Sequence, residues 1–283
     1  MFSASFSVLP QYLLPKQAMT VLAGHIANAS AGRVTTFIIR WFVRRYGVNM
    51  DEAVNPDIHS YRTFNDFFTR PLLPEKRPIA QANYISPADG VISQLGIISG
   101  DQIFQAKGRN YSATALMGGD STLAEKFYGG HFATLYLSPR DYHRVHMPCS
   151  GRLTRMIHVP GTLFSVNPST VRGVPGLFAR NERVICIFES QHGPFVMILV
   201  GATIVGSIST VWHGVVNPQR PGDVREWQYG SQDLVFEKGE EMGRFQLGST
   251  VIMLFPRNRL VFNPLWAPGR AIRFGEPMAM RIQ

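Results

Sequence analysis

The chain has 283 residues, 45% of them apolar, which allows one large domain or two small ones around a substantial core. Lys and Arg number 28 against 19 Asp and Glu, a net charge of +9 that points to an anionic partner: nucleic acid, a phosphorylated substrate or a membrane surface. Two cysteines, Cys149 and Cys186, are too few for a disulfide framework and read as inert buried thiols, and no apolar run approaches the ~20 residues of a membrane span.

Positive charge is concentrated at the start. Lys16, Arg33, Arg40, Arg44 and Arg45 all precede the first acid, Asp51. Residues 10–30 carry Leu13, Leu14, Met19, Val21, Leu22 and Ile26 at roughly helical spacing. A second helix is predicted over 33–46, with Phe37, Ile38, Trp41 and Phe42 sharing a face and Arg40, Arg44 and Arg45 toward its rim. Asn28 to Ser30 and Gly32 separate the two. An apolar face rimmed by Arg and marked by Trp suits a helix lying in a headgroup layer, so residues 1–50 read as a membrane-docking helical region. A plain packed helix pair and a transit peptide are the competing readings.

Residues 51–80 read as a connector. A short helix is predicted over Tyr61 to Phe68, and Pro71, Pro74 and Pro78 argue against regular structure after it. From about residue 84 the texture becomes β-like, as in Gly90–Ser93, Phe132–Leu137, Arg183–Phe188, Phe195–Ser209 and Thr250–Phe255, short β-branched runs bounded by Gly, Pro and Asn. Gly201 and Gly206 divide the long run at 195–209 into two strands or a bent one. The predicted class is α+β, N-terminal amphipathic helices followed by a largely antiparallel β body, with 81–283 as the catalytic, β-rich domain.

Three stretches carry chemistry. Pro87-Ala88-Asp89-Gly90 sets an acid in a tight turn before a strand, where Asp often bonds only its own turn backbone. Ser138 to Pro148 holds His143 and His146, two of only eight histidines. They suit turn capping, acid–base work, or a zinc site with Asp141 or His131 as third ligand. Finally, Leu247-Gly248-Ser249-Thr250 places a hydroxyl directly after a Gly carbonyl that no Cβ shields. Attack there shifts an amide to an ester. Elimination then breaks the chain and leaves dehydroalanine, which hydrolyses to a pyruvoyl group. The plain alternative is a Gly-Ser turn entering a strand.

Together these stretches resemble the bacterial phosphatidylserine decarboxylase proenzymes. The likeness is carried by Pro87-Ala88-Asp89-Gly90, by Tyr136-Leu137-Ser138-Pro139-Arg140-Asp141-Tyr142-His143-Arg144-Val145-His146, by Phe178-Ala179-Arg180-Asn181-Glu182-Arg183-Val184 and by Leu247-Gly248-Ser249-Thr250. It extends to the early Tyr61–Arg70 segment, and the tail after Ser249 is short for the family.

The resemblance implies self-cleavage between Gly248 and Ser249 into a large chain, 1–248, and a small chain, 249–283. Ser249 becomes the covalent pyruvoyl cofactor, and His146 with Asp89 is the activating pair. It also implies a Schiff base between the pyruvoyl ketone and the substrate amine, loss of CO₂ from phosphatidylserine and release of phosphatidylethanolamine. His143 is the candidate proton donor or headgroup-positioning residue, and Arg140 or Arg144 could hold the phosphodiester or carboxylate. No metal and no nucleic acid are expected. The implied partners are phosphatidylserine, an anionic membrane surface, the two halves of the cut chain and a second copy of the chain. The implied location is peripheral, on the cytoplasmic face of the bacterial inner membrane. A serine hydrolase with the same triad is the runner-up, and it predicts an intact chain. A non-enzymatic lipid-binding protein and a pyruvoyl decarboxylase of a soluble amino acid stand behind it.

Overall fold

The computed structural model describes residues 15–106, 108–203, 207–216, 222–246, 249–258 and 260–281, the side chains of Gln17 and Ser249 excepted. Two helices come first, α1 (Lys16–Asn28) and α2 (Arg33–Tyr46), so the predicted pair is present, with Leu13 and Leu14 outside the described residues. Helix α2 does not gather its aromatic residues on one face. Ile39 and Phe42 point inward with Ile38 half-buried, whereas Phe37 is 67% and Trp41 54% exposed, with Val34 beside them. Spacing explains the split: 35, 39 and 42 follow one helical line and 34, 37 and 41 another.

The inward line of α2 meets α3 (Phe64–Phe68), where the Phe42 ring lies 5.1, 5.9 and 6.0 Å from those of Phe64, Phe67 and Phe68. Helix α3 starts later than the sequence suggests because Thr63 and Asp66 form a reciprocal capping box that fixes its first turn. The connector also keeps one turn of 3₁₀ helix, Pro74–Lys76, despite its prolines, since Pro at a helix start loses no hydrogen bond.

The β body is built on β1 (Gly90–Ile97), β2 (His131–Leu137), β3 (Arg144–His146), β4 (Gly151–Val159), β5 (Arg183–Ser190), β6 (Gly193–Val200), β7 (Ser207–Thr210), β8 (Glu241–Gln246) and β9 (Ser249–Phe255). Strands β6 and β7 are the two predicted from Gly201 and Gly206. A nine-stranded antiparallel sheet runs Arg225–Gln228, β4, β5, β6, β9, β2, β1, Ala271–Ile272, with Val235–Phe236 also paired to β4. A second sheet runs Gly214–Val215, β7, β8, β3.

Strand β9 is apolar at nearly every position because both of its faces are covered. Val251, Met253 and Phe255 join the core shared with the second sheet, while Ile252 and Leu254 enter the core under the short helices of 113–125 and 168–180. Helices first and antiparallel sheets after make the chain α+β.

The chain crosses between the two sheets twice at one place. It leaves β2 at Leu137, runs through Ser138–His143 and enters β3. It returns from β8 at Gln246 to β9 at Ser249. The Phe245 amide donates to the His143 carbonyl at 3.0 Å, and Ser249 stands opposite Leu137 in the ladder. The described ends of the two crossings are therefore neighbours.

Candidate active site

Gly90 explains why Asp89 can sit where it does. Its φ is +156°, and a Cβ there would lie 2.4 Å from the Tyr136 carbonyl oxygen. Only Gly lets β1 close on β2 at that point. The turn before it buries the Asp89 carboxylate. Its partners lie outside that turn, so the plain reading of an Asp that bonds only its own turn backbone does not hold. Arg77 Nε donates to both oxygens at 2.9 and 3.1 Å, and the Phe274 amide donates to Oδ1 at 2.8 Å. Arg77 in turn donates to Glu52 at 2.7 Å. Burial alone would lower the Arg77 pKa, but these two carboxylates outweigh it and raise the value.

His146 is buried, and its tautomer follows from its neighbours. Nδ1 lies 2.8 Å from the Gly239 carbonyl oxygen, which can only accept, so Nδ1 carries the hydrogen. Nε2 therefore presents its lone pair, 3.0 Å from the Tyr142 hydroxyl. Burial pushes the imidazole down to about 4, against the pull of the Gly239 carbonyl and the Glu241 charge, so the ring is a neutral base at physiological pH. The Phe274 ring stacks on it at 3.8 Å. The direct Asp89–imidazole bond expected of a triad is not made. Asp89 instead holds the backbone of the residue that stacks on His146.

His143 has the same tautomer, with Nδ1 2.8 Å from the Asp141 carbonyl oxygen. Its Nε2 is buried and has no partner. Burial drives its pKa down to about 3, and the nearby Arg70 charge acts in the same direction while the Asp141 carbonyl opposes. The Phe68 ring packs on it at 4.0 Å, linking the imidazole to the aromatic cluster that carries α2.

A cavity of about 610 Å³ runs from Tyr46, Gly47 and Asn49, at the end of α2, to Asp89, Ser138 and Tyr142. Its wall includes Arg70, Arg77, Arg140 and Arg273. Of the two arginines read from sequence as headgroup ligands, Arg140 lies in this wall with its side chain 66% exposed. Arg144 is tied elsewhere, to Glu241 at 2.8 Å and the Thr69 carbonyl at 2.9 Å.

The site thus joins His143, His146 and Asp89 around the first crossing. Ser249 is present as the first backbone position of β9. Leu247 and Gly248 lie outside the described residues, and so does the bond predicted to break. The residues present suit a group made from Ser249. The orphaned buried acceptor of His143 ends the crossing whose first residue neighbours the start of β9, and the neutral base His146 follows at the end of β3.

A family model described as phosphatidylserine decarboxylase matches residues 64–280. The chain belongs to the phosphatidylserine decarboxylase family. A second family model, described only as PSD, matches residues 6–47. The phosphatidylserine decarboxylase proenzyme of Nitrosospira multiformis is 75% identical over 284 residues, covering 99% of this chain and 98% of that one. Those of Dechloromonas aromatica and an Azoarcus species are 69% and 67% identical, each over 276 residues, 98% of this chain and 98% and 96% of theirs.

Sequence reading missed several residues that build this decarboxylase-family site. Arg77 and Glu52, the ion-paired side chains that hold Asp89, both stand in the 51–80 connector, without any motif. Tyr142 gives no signal in sequence beyond its place in the Ser138–Pro148 stretch. Phe274 and Gly239 act through backbone groups and a ring face, for which sequence gives no signal. The cysteines do match their expectation: both are free and buried, with the Cys149 thiol pushed up to about 12 by burial.

Proposed function

We propose that the chain decarboxylates phosphatidylserine with a pyruvoyl group made from its own Ser249 by cleavage of the Gly248–Ser249 bond. Full-length likeness to proenzymes of this activity supports the substrate and the reaction. The observation that supports the mechanism is the double crossing, in which His143 lies beside Phe245 and Leu137 beside Ser249, with His146 further along β3, opposite Glu241.

His146 is the base for self-cleavage. Its neutral Nε2 takes the Ser249 proton, through or past the Tyr142 hydroxyl, a role worth roughly 10²–10⁴-fold in rate. Ser249 Oγ adds to the Gly248 carbonyl, the C–N bond breaks and an ester forms. Removal of the Ser249 α-proton with β-elimination leaves Gly248 as a carboxylate and residue 249 as dehydroalanine. Water then replaces the amine, with release of ammonia. Asp89 steadies the imidazole indirectly, by fixing Phe274 on its face, and its negative charge favours the imidazolium that forms.

The pyruvoyl carbonyl supplies an attachment point for the substrate amine and a sink for the electrons released with CO₂. His143 Nε2, unpartnered and neutral, takes a proton from the incoming ammonium and delivers one to the α-carbon. The serine hydrolase alternative needs Asp89 to accept the His146 Nδ1 proton. That proton is given to Gly239, and full-length likeness to proenzymes favours the self-cleaving reading.

Docking at the membrane falls to the outward faces of α1 and α2. Val21, Leu22, Ile26, Val34, Phe37 and Trp41 are exposed there, and Arg40, Arg44 and Arg45 share a groove with Phe37 and Trp41. Among the described residues no helix is long and apolar enough to cross a membrane. A peripheral position on the cytoplasmic face suits these cations, since that leaflet is negatively charged.

Denaturing mass spectrometry of the purified chain tests the reading. Two fragments are expected, the smaller with a blocked N-terminus, and Ser249→Ala should give one uncut, inactive polypeptide. A single intact chain with full decarboxylase activity would refute it.

A further inference from the structure

Among the described residues three arginines are buried outright, Arg70, Arg77 and Arg183, and two of them are well paired. Arg183 donates to the carbonyls of Leu116, Ala115, Ala179 and Asn181 at 2.6–2.8 Å. Arg77 has Asp89 and Glu52, and Arg144 has Glu241 and the Thr69 carbonyl. Arg70 is only 3% exposed, yet its Nε has no partner. Its Nη atoms reach the carbonyls of Phe67 and Arg140 at 3.4 and 3.5 Å, beyond the usual hydrogen-bond range. Among the described residues no carboxylate stands at ion-pair distance from it. Burial lowers its pKa, and the charges of Tyr61, Asp89 and Glu52 only partly offset that.

Leaving a charge buried and unpaired is strongly unfavourable. Such a group is stable in company when a ligand supplies the missing anion. Arg70 lines the cavity that joins the end of α2 to Asp89. Its Cζ lies 5.3 Å from the Phe67 ring centre, on the aromatic cluster that carries α2 and touches His143 through Phe68. The position therefore lies between the lipid-facing helix and the reacting imidazole.

We propose that Arg70 binds the phosphodiester of the substrate headgroup. The inference rests on phosphatidylserine being the substrate. That molecule offers two anions, and chemistry separates them. The carboxylate charge disperses as CO₂ leaves, so a guanidinium clamped on it would stabilise the ground state most and slow the reaction. The phosphodiester keeps its charge throughout. Binding it holds the headgroup without opposing the chemical step, and a planar fork matches two of its oxygens.

The test compares wild type with Arg70→Gln and Arg70→Lys on short-chain phosphatidylserine in mixed micelles. Self-cleavage is followed by mass. Inhibition is measured with glycerophosphocholine, which has the diester but neither a carboxylate nor a condensable amine. Arg70→Gln should mature normally, raise KM at least tenfold with kcat within about twofold, and weaken glycerophosphocholine inhibition at least tenfold, with Arg70→Lys in between. An unchanged KM, a fall confined to kcat, or equal inhibition of wild type and variant would overturn the assignment. So would failure of both variants to mature, which would make Arg70 structural. A wild type that neither cuts itself nor decarboxylates would instead defeat the reading on which this one rests.

Discussion

Two regions of this molecule break the usual partition of residues in opposite directions. The outer face of α1 and α2 leaves Leu22, Ile26, Phe37 and Trp41 in contact with water. The cavity below them buries Arg70, Arg77 and Asp89. A protein folding only for its own stability would do neither, since exposed apolar patches and buried charges both carry a cost. A phospholipid has the same two halves, acyl chains and a charged headgroup. On the proposed function the contrast teaches that each region suits one half of the ligand, with Tyr46 and Gly47 lining the cavity at the end of α2.

The sharpest way to break the comparison is within the buried half. His146→Ala should slow maturation by roughly 10²–10⁴-fold, read as accumulating uncut precursor on denaturing gels. His143→Ala should cut normally and decarboxylate poorly, and full activity in that variant would remove His143 from the site. Next comes the inner line of α2. Phe42→Ala should cost about 3–5 kcal/mol through the cavity left among Phe64, Phe67 and Phe68, measured by thermal or urea unfolding.

The outer line should respond in the opposite way. Phe37→Ser with Trp41→Ser should leave unfolding within about 0.5 kcal/mol of wild type, while partitioning onto anionic vesicles falls about tenfold or more, at ~1.5–3 kcal/mol per inserted side chain. Retained vesicle binding would refute the docking role. Arg44→Gln should weaken vesicle binding by several-fold, about 1 kcal/mol, and the effect should vanish at high salt.

The smallest expected effect is a flat line. With the His146 pKa near 4 and not 6.5, maturation should show no inflection at pH 6.5 and should fall only near pH 4. Between those values the unfolded chain binds more protons than the folded one. The uncut Ser249→Ala protein should therefore lose stability as pH falls through that window, and a maturation midpoint near 6.5 would mark an ordinary, solvated imidazole.

Sequence carried the architecture well where pattern is local. Strand texture after residue 84, the helix pair and the short helix that ends at Phe68 all follow from neighbours in the chain. Residues 143 and 146 were legible as a unit because three residues of one segment bring them together. What stayed hidden depends on tertiary approach. Phe37 and Phe42 look alike in sequence, and only the docking of α3 decides which is inside. Asp89 was legible as an acid in a turn before a strand and, through the resemblance, as the partner of His146, but not its ties to Arg77 in the connector and to the Phe274 amide near the other end of the chain. Arg70 gave no sign at all, since a basic residue after a short helix is ordinarily solvated.

Strand β9 is hydrogen-bonded on both sides, to β6 and β2, and later segments of the same tail pair with β1 and with Tyr84–Ile85. A break ahead of Ser249 would leave the small piece knitted through two sheets, so the halves stay together without a covalent tie. Once melted apart, though, they would have to find each other by diffusion. Renaturation would become a second-order, concentration-dependent event, whereas the intact precursor needs no encounter. Such a cut would impose an order of events on the molecule: one unimolecular chance to reach its shape, before the break.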